Sequence, residues 1–160
     1  MGDVLRDMSL AALTQAVEAN LTAFHVALSD WPEITLHRDN DRIWTVSQRR
    51  FSLCNVVLVL RTGVERPFVA YVAVTGEEAG ASSLVFFGAG VAGIYHVSTV
   101  PEHRGRGLSS VITAAPLLEA RSRGYRIAVL HATEMGYPVY RRLGFEQVCD
   151  IGMRLRLKNP

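Results

Sequence analysis

The architecture turns on one segment: Ile94-Tyr95-His96-Val97-Ser98-Thr99-Val100-Pro101-Glu102-His103-Arg104-Gly105-Arg106-Gly107-Leu108-Ser109-Ser110-Val111-Ile112. Its first seven residues are β-branched or aromatic for the most part, the composition of a strand. Pro101 cannot donate to a β-ladder and ends it. Two glycines follow, and from there Val111, Ile112, Ala115 and Leu118 recur at helical spacing. The pattern predicts a helix over 107–123, closed by Gly124 in a left-handed cap. Pro116 interrupts it. An interior proline costs about 3 kcal/mol or more unless the helix yields, so a bend is expected there. Residues 126–132 then form a compact apolar strand. A strand–helix–strand unit of this length is a crossover, which sets 94–100 and 126–132 parallel.

Upstream, residues 68–74 and 83–87 read as strands separated by short turns, at 75–78 and at Gly88-Ala89-Gly90, which makes them antiparallel neighbours of 94–100. Nearer the N-terminus, Leu10, Leu13, Val17, Leu21, Phe24 and Leu28 form one apolar stripe on a helix over 8–28, with Ser9 or Asp7 as its cap. Residues 43–46 and 55–60 look like strands, and the rest of 33–66 is less legible. Downstream, Pro138 and Gly144 bracket a short helix over 138–143, followed by a closing pair of strands at 145–149 and 153–157. The expected class is α/β (α+β): a mixed, mostly antiparallel sheet flanked by helices, with a parallel pair at its centre. The chain of 160 residues falls within the usual size of one domain, expected to span 1–160.

Seventeen Lys and Arg stand against fifteen Asp and Glu. Residues 1–100 carry seven basic and ten acidic side chains, and residues 101–160 carry ten and five. All basic residues but Lys158 are arginines, which suit planar anions such as phosphate. A basic stripe interleaved with aromatics is missing, so nucleic acid is not an expected partner. Cys54 and Cys149 fit no metal-ligand spacing, and two reduced thiols suit a reducing compartment. The first seven residues have no apolar core of a signal peptide, and no apolar run approaches 18 residues, so neither secretion nor a membrane is expected. The simplest location is the cytoplasm.

Gly88-Ala89-Gly90-Val91-Ala92-Gly93 matches the dinucleotide fingerprint GxGxxG in letters only, because a strand follows where that fingerprint needs a helix. Arg104-Gly105-Arg106-Gly107-Leu108-Ser109-Ser110 has the right context, between a strand and a helix. A helix start leaves about four N–H groups unpaired at its electropositive end, and glycines let an anion reach them. An ordinary glycine turn with a serine cap would use the same letters. The Lys-Ser/Thr of a Walker loop is missing.

These residues resemble the GNAT superfamily of acetyl-CoA-dependent N-acetyltransferases. Its signature Q/R-x-x-G-x-G/A is met by Arg104-Gly105-Arg106-Gly107-Leu108-Ser109 except at the last position, after Thr99-Val100-Pro101-Glu102-His103. About 36 residues on, Val139-Tyr140-Arg141-Arg142-Leu143-Gly144-Phe145 is similar to the family's L-Y-x-x-x-G-F. The two motifs, in this order, span roughly 92–148, with plausible strand order from about 67 and only a loose match over 1–66.

The resemblance implies that 94–100 and 126–132 splay around the pantetheine arm of acetyl-CoA. Backbone groups of Val97, Ser98 and Thr99 would pair with that arm, and Thr133 would touch it. Gly105, Arg106, Gly107, Leu108, Ser109 and Ser110 would cradle the diphosphate through their N–H groups, with Arg104 and Arg106 adding charge. Ser109, where relatives have Gly or Ala, would at worst weaken that binding. An amine acceptor, small molecule or peptide, would attack the thioester directly. Tyr140 stands where the family commonly places the general acid, with Tyr137 as the fallback. His96 and Glu134 are candidate bases, and His131 is another; a water chain is the alternative to all three. No metal is implied, and the family's frequent dimers admit a homodimer. A non-catalytic acyl-CoA-binding sensor or partner-binding protein of the same fold is the rival reading.

Overall fold

A computed structural model of the chain describes residues 4–28, 34–38, 43–47, 68–75 and 78–151. The elements run α1 (Leu10–Leu28), β1 (Ile34–Arg38), β2 (Ile43–Ser47), β3 (Phe68–Thr75), β4 (Glu78–Gly88), β5 (Val91–Thr99), a 3-10 turn at Pro101–His103, α2 (Leu108–Ser122), β6 (Ala128–Leu130) and α3 (Tyr137–Arg142). β1 and β2 form an antiparallel hairpin of their own. The main sheet has the order β3-β4-β5-β6, antiparallel up to β5 and parallel between β5 and β6. The mixed sheet with its parallel pair therefore stands as the sequence indicates. β1 was not legible in the sequence, and the strand expected at 126–132 shrinks to three residues. No strand forms over 145–149, which is irregular. The strands expected at 55–60 and 153–157 lie outside the described residues.

β4 and β5 are joined by a two-residue turn in which Ala89 and Gly90 both take positive φ, +53° and +76°. Both central residues are left-handed, as in a type I′ turn, which matches the twist of antiparallel strands. This is the hairpin that the fingerprint-like glycines build. Alternation along the strands then supplies two cores. Val91 and Val129 face α1 and pack with Ala16, Val17 and Ile127. Ala92, Val85 and Phe87 face α2 and pack with Ala120. The sheet is thus covered by a helix on each side.

The N-terminus of α1 is capped by both residues named for it. Ser9 Oγ accepts from the Ala12 N–H at 3.3 Å, and Asp7 Oδ1 accepts from the Ser9 N–H at 2.8 Å. The buried stripe of α1, however, is rotated from the apolar one. Leu10 is exposed, whereas Ala16, Val17, Asn20 and Phe24 are buried. Asn20 is fully buried because its amide closes two long-range contacts. Its Nδ2 donates to Gly88 O at 2.8 Å and its Oδ1 accepts from the Tyr95 hydroxyl at 2.7 Å. Gly93 makes room for it: a Cβ there would lie 2.0 Å from Asn20 Oδ1.

α2 runs unbroken through Pro116, which is buried. Proline at 116 removes the N–H that would have bonded the Ile112 carbonyl one turn earlier. Ser83 of β4 replaces it, its buried hydroxyl donating to Ile112 O at 2.8 Å. The helix keeps its proline because the sheet supplies the missing donor. On the same side, Tyr71 of β3 donates to the Glu119 carboxylate, which also pairs with Arg123, and Arg123 lies 4.5 Å over the Phe87 ring.

The Ser83 contact is testable. Ser83→Ala leaves a buried carbonyl without a donor, so unfolding in urea should show a loss of about 1–3 kcal/mol. In a Pro116→Ala background the same serine change should cost less, since the helix then satisfies Ile112 itself.

Candidate active site

β5 pairs with β6 at only three positions, Ala92 with Ala128, Gly93 with Val129 and Ile94 with Leu130. On its other edge β5 slips register against β4: Tyr95 faces Leu84, but Ser98 faces Ser82. His96 and Val97 therefore share the single residue Ser83, a β-bulge. His96 takes φ +52° in this bulge. Left-handed backbone costs a side-chain-bearing residue about 1–2 kcal/mol, and histidine is among the residues that tolerate it best. The bulge changes which way the side chains point. Tyr95 reaches Asn20 on the α1 side, and simple alternation would send His96 to the opposite face. Instead the His96 ring lies 5.9 Å from Phe24 of α1. Beyond Ile94, then, Val97, Ser98 and Thr99 lie on a stretch of β5 that has no β6 neighbour. Ser98 and Ser82 share a hydroxyl–hydroxyl hydrogen bond of 3.0 Å, and Thr99 O accepts from Arg104 Nε at 3.3 Å.

The loop that follows presents bare amides. Gly105 and Gly107 have φ +75° and +78°, and a Cβ on either would meet nothing within 4 Å. Positive φ explains the glycines, and the space in front of them is open. Gly107 is the N-cap of α2 and no side chain caps the helix. Its carbonyl takes the Ser110 and Val111 N–H groups at 3.0 and 3.2 Å. Among the described residues the N–H groups of Gly105, Arg106, Gly107, Leu108 and Ser109 make no backbone hydrogen bond. The serine cap of the plain-turn alternative is therefore not what forms here. Five amides without backbone partners, a helix dipole and the exposed Arg104 and Arg106 side chains lie along one loop whose glycines face open space. A diphosphate fits that chemistry.

At the open end of the β5–β6 pair, aromatic and histidine side chains gather. Phe24 stacks on Tyr95 with centroids 4.0 Å apart, His25 and His96 lie 5.7 and 5.9 Å from Phe24, and His131 meets the Tyr95 ring edge-on at 5.8 Å. His25 Nδ1 donates to Leu21 O at 2.8 Å. Burial holds the His96 pKa below the ordinary value of 6.5. Burial, and then the neighbouring His25, do the same to His131. Much of each residue's surface is nonetheless open, so these rings combine solvent access with a neutral state. Among the described residues no group of His, Cys, Asp and Glu could hold a metal ion.

Tyr140 stands on α3, half-buried, its ring on Gly136, where a Cβ would come within 2.8 Å of Cε2, and 6.2 Å from Phe145. Burial raises its pKa above 10.0. Thr133 sits at the start of this turn and its Oγ1 accepts from the Gly136 N–H at 3.3 Å. Its hydroxyl proton stays available. Glu134 is exposed and has no hydrogen-bond partner among the described residues, and no hydrogen bond there joins Tyr140 to His96 or His131. The structure thus places His96 and His131 against the stacked Phe24–Tyr95 pair, groups Thr133 with Tyr140, and leaves Glu134 apart. Sequence reasoning missed His25, Phe24 and Tyr95 as members of this cluster. Their signal was hidden, because Phe24 reads as an ordinary member of a helix stripe.

A family model of the acetyltransferase (GNAT) domain matches residues 5–148, and the chain belongs to that family. Solved structures agree. A GCN5-related N-acetyltransferase from Ralstonia eutropha is 25% identical, with a TM-score of 0.50 over 56% of this chain and 65% of that one. An acetyltransferase from Trypanosoma brucei is 26% identical, with a TM-score of 0.50 over 57% and 70%. Glucosamine-6-phosphate N-acetyltransferase from Arabidopsis thaliana, 18% identical with a TM-score of 0.50 over 57% and 68%, shares the fold. The chain spans less than two thirds of the length of the Ralstonia protein. No curated protein sequence matches it closely enough to count as a relative.

The two depressed histidines make stability pH-dependent. Each binds its proton less readily in the folded chain than in the unfolded one, so their contribution is present above about pH 6.5 and is lost as pH falls through the folded values. Thermal unfolding from pH 7.5 to 5.5 should show Tm falling, and the double variant His96→Asn, His131→Asn should flatten that slope.

Proposed function

We propose that this protein is an N-acetyltransferase that moves the acetyl group of acetyl-CoA to a primary amine by direct attack on the thioester. The observation that carries the reading is the junction of two features. A parallel strand pair stops pairing after Ile94 and Leu130, and the same strand leads through the turn at Pro101–His103 to the uncapped, glycine-lined start of α2. The split offers the edge of Val97, Ser98 and Thr99 that β6 leaves unpaired to a pantetheine amide, which at Thr99 O would compete with Arg104 Nε. The loop offers the N–H groups of Gly105, Arg106, Gly107, Leu108 and Ser109 to the diphosphate, with Arg104 and Arg106 beside it; the Ser110 N–H, expected among them, is taken by Gly107 O. Thr133 keeps a hydroxyl proton free for the same arm.

The amine must lose a proton, its nitrogen must bond to the thioester carbon, and the carbon–sulfur bond must break as CoA leaves. His96, held neutral by burial on the edge of the split, takes the amine proton directly or through one water. A fixed N–H of the β5 edge near Val97 stabilises the oxyanion without reorganisation. Tyr140 keeps its proton at neutral pH because burial raises its pKa, and gives it to the departing thiolate. The amide product and the thiol of CoA leave with all protons accounted for. Glu134, solvated and without a hydrogen-bond partner among the described residues, is the weaker candidate base.

Thiol release on mixing the protein with acetyl-CoA and a library of amines separates this enzyme from a non-catalytic acyl-CoA sensor, which would bind without turnover. With the acceptor so found, Tyr140→Phe should lower kcat by about 10²–10⁴ while CoA affinity stays within twofold. An unchanged kcat removes Tyr140 from the chemistry. His96→Asn, which keeps a residue tolerant of positive φ, should abolish the acidic limb of the kcat/KM profile, a limb that lies below pH 6.5 in the wild type. Gly107→Val should abolish CoA binding, and retained binding refutes the diphosphate assignment.

A further inference from the structure

His103 precedes the glycine loop and is buried, 8% exposed, although it has no place in the chemistry. Its Nε2 donates to the Glu78 carboxylate at 3.3 Å, a partner that can only accept. Its Nδ1 is buried without any partner among the described residues. A buried unpaired nitrogen costs about 1–3 kcal/mol, so an apolar side chain would serve stability better at this position. The unpaired nitrogen marks this histidine out for a role beyond packing.

The surroundings indicate what. The His103 ring and the Leu108 side chain close on the same point of β4, the bare Cα of Gly80. A Cβ on Gly80 would lie 2.9 Å from Leu108 Cδ1 and 3.3 Å from His103 Cγ. The Val100 N–H also donates to Gly80 O at 2.9 Å, and the His103 N–H turns back on Val100 O at 2.9 Å. The two ends of the loop, 103 and 108, are therefore fastened to one residue of the sheet. Between them Gly105 and Gly107 stand free, with nothing within 4 Å of where their side chains would be. A flexible diglycine cradle holds its amides in convergence only if its ends are fixed, since otherwise binding must bear the cost of ordering it.

We propose that His103, hydrogen-bonded to Glu78 and packed on Gly80, is a positioning residue that sets the shape of the 104–110 loop for the diphosphate of the acyl carrier without touching that ligand. The proposal rests on the reading of this loop as the diphosphate cradle. Glu78 orients the ring, Gly80 leaves it space, and Leu108 closes the far end.

Calorimetric titration of the full chain with CoA, and separately with its nucleotide half (adenosine 3′-phosphate 5′-diphosphate), tests this. His103→Ala should weaken both ligands by the same factor, about tenfold, the size of one lost ordering hydrogen bond. His103→Gln, whose amide can reach Glu78 from a similar position, should restore affinity to within threefold. Gly80→Val, which never meets the ligand, should reproduce the loss by displacing both His103 and Leu108. A lowered Tm for His103→Ala with both affinities unchanged overturns the proposal, because the residue is then structural only. Gly107→Val is the separate control. If it binds CoA normally, the cradle itself is wrong; if it fails to bind while His103→Ala binds normally, only the positioning role is wrong.

Discussion

A strand in a mixed sheet must satisfy two neighbours at once, and β5 stops doing so where His96 and Val97 share Ser83 across the ladder. Before this bulge, β5 is zipped to β4 on one edge and to β6 on the other. After it, pairing continues with β4 alone, and the β6 side is open. The extra residue bends β5 and increases its twist where its β6 edge is free. It also reverses side-chain parity from residue 96 onward. His96 thereby joins Tyr95 and Phe24 on the α1 side, and His131 arrives there from the end of β6. The bulge thus turns His96 toward the face on which the sheet opens.

The elements around the bulge are fastened to the sheet by polar contacts buried between them. Asn20 ties α1 to the β4–β5 turn and to Tyr95. Ser83, the residue opposite the bulge, turns the other way and gives its proton to the carbonyl that Pro116 leaves unpaired. One short stretch of β4 thus supports the bulge on one edge and the broken ladder of α2 on its face. α2 in turn aims its uncapped N-terminus at the end of β5. Low dielectric makes each of these contacts worth keeping and expensive to leave half-made, so they constrain how the helices can sit.

Much of this was legible in the residues. Gly105 and Gly107 announced a loop whose backbone an anion can approach, and Pro101 with the periodicity from Val111 placed it between strand and helix. The N-cap of α1, the decoy nature of Gly88-Ala89-Gly90 and the crossover with its parallel pair followed from local chemistry. Other features were not. The stripe of α1 was misjudged by one position because Asn20 looks polar until its partners, 68 and 75 residues away, are known. The donor that takes over the Ile112 carbonyl at Pro116 was hidden as well, since it stands 29 residues upstream. The segment 145–149 is irregular although its composition suits a strand, since β-propensity is a weak guide apart from its context.

The amino-acid order alone settled which segments could be helix, strand or left-handed loop, because those preferences come from sterics and periodicity within a few residues. It also settled the family, since both motifs are local. The tertiary structure decided the facing of His96, the gathering of three histidines around the stacked Phe24–Tyr95 pair, and the fastening of the loop ends to Gly80. These depend on contacts between residues far apart in the chain. A bulge shifts parity only relative to a neighbouring strand, and a glycine is required by packing only once another element lies against it.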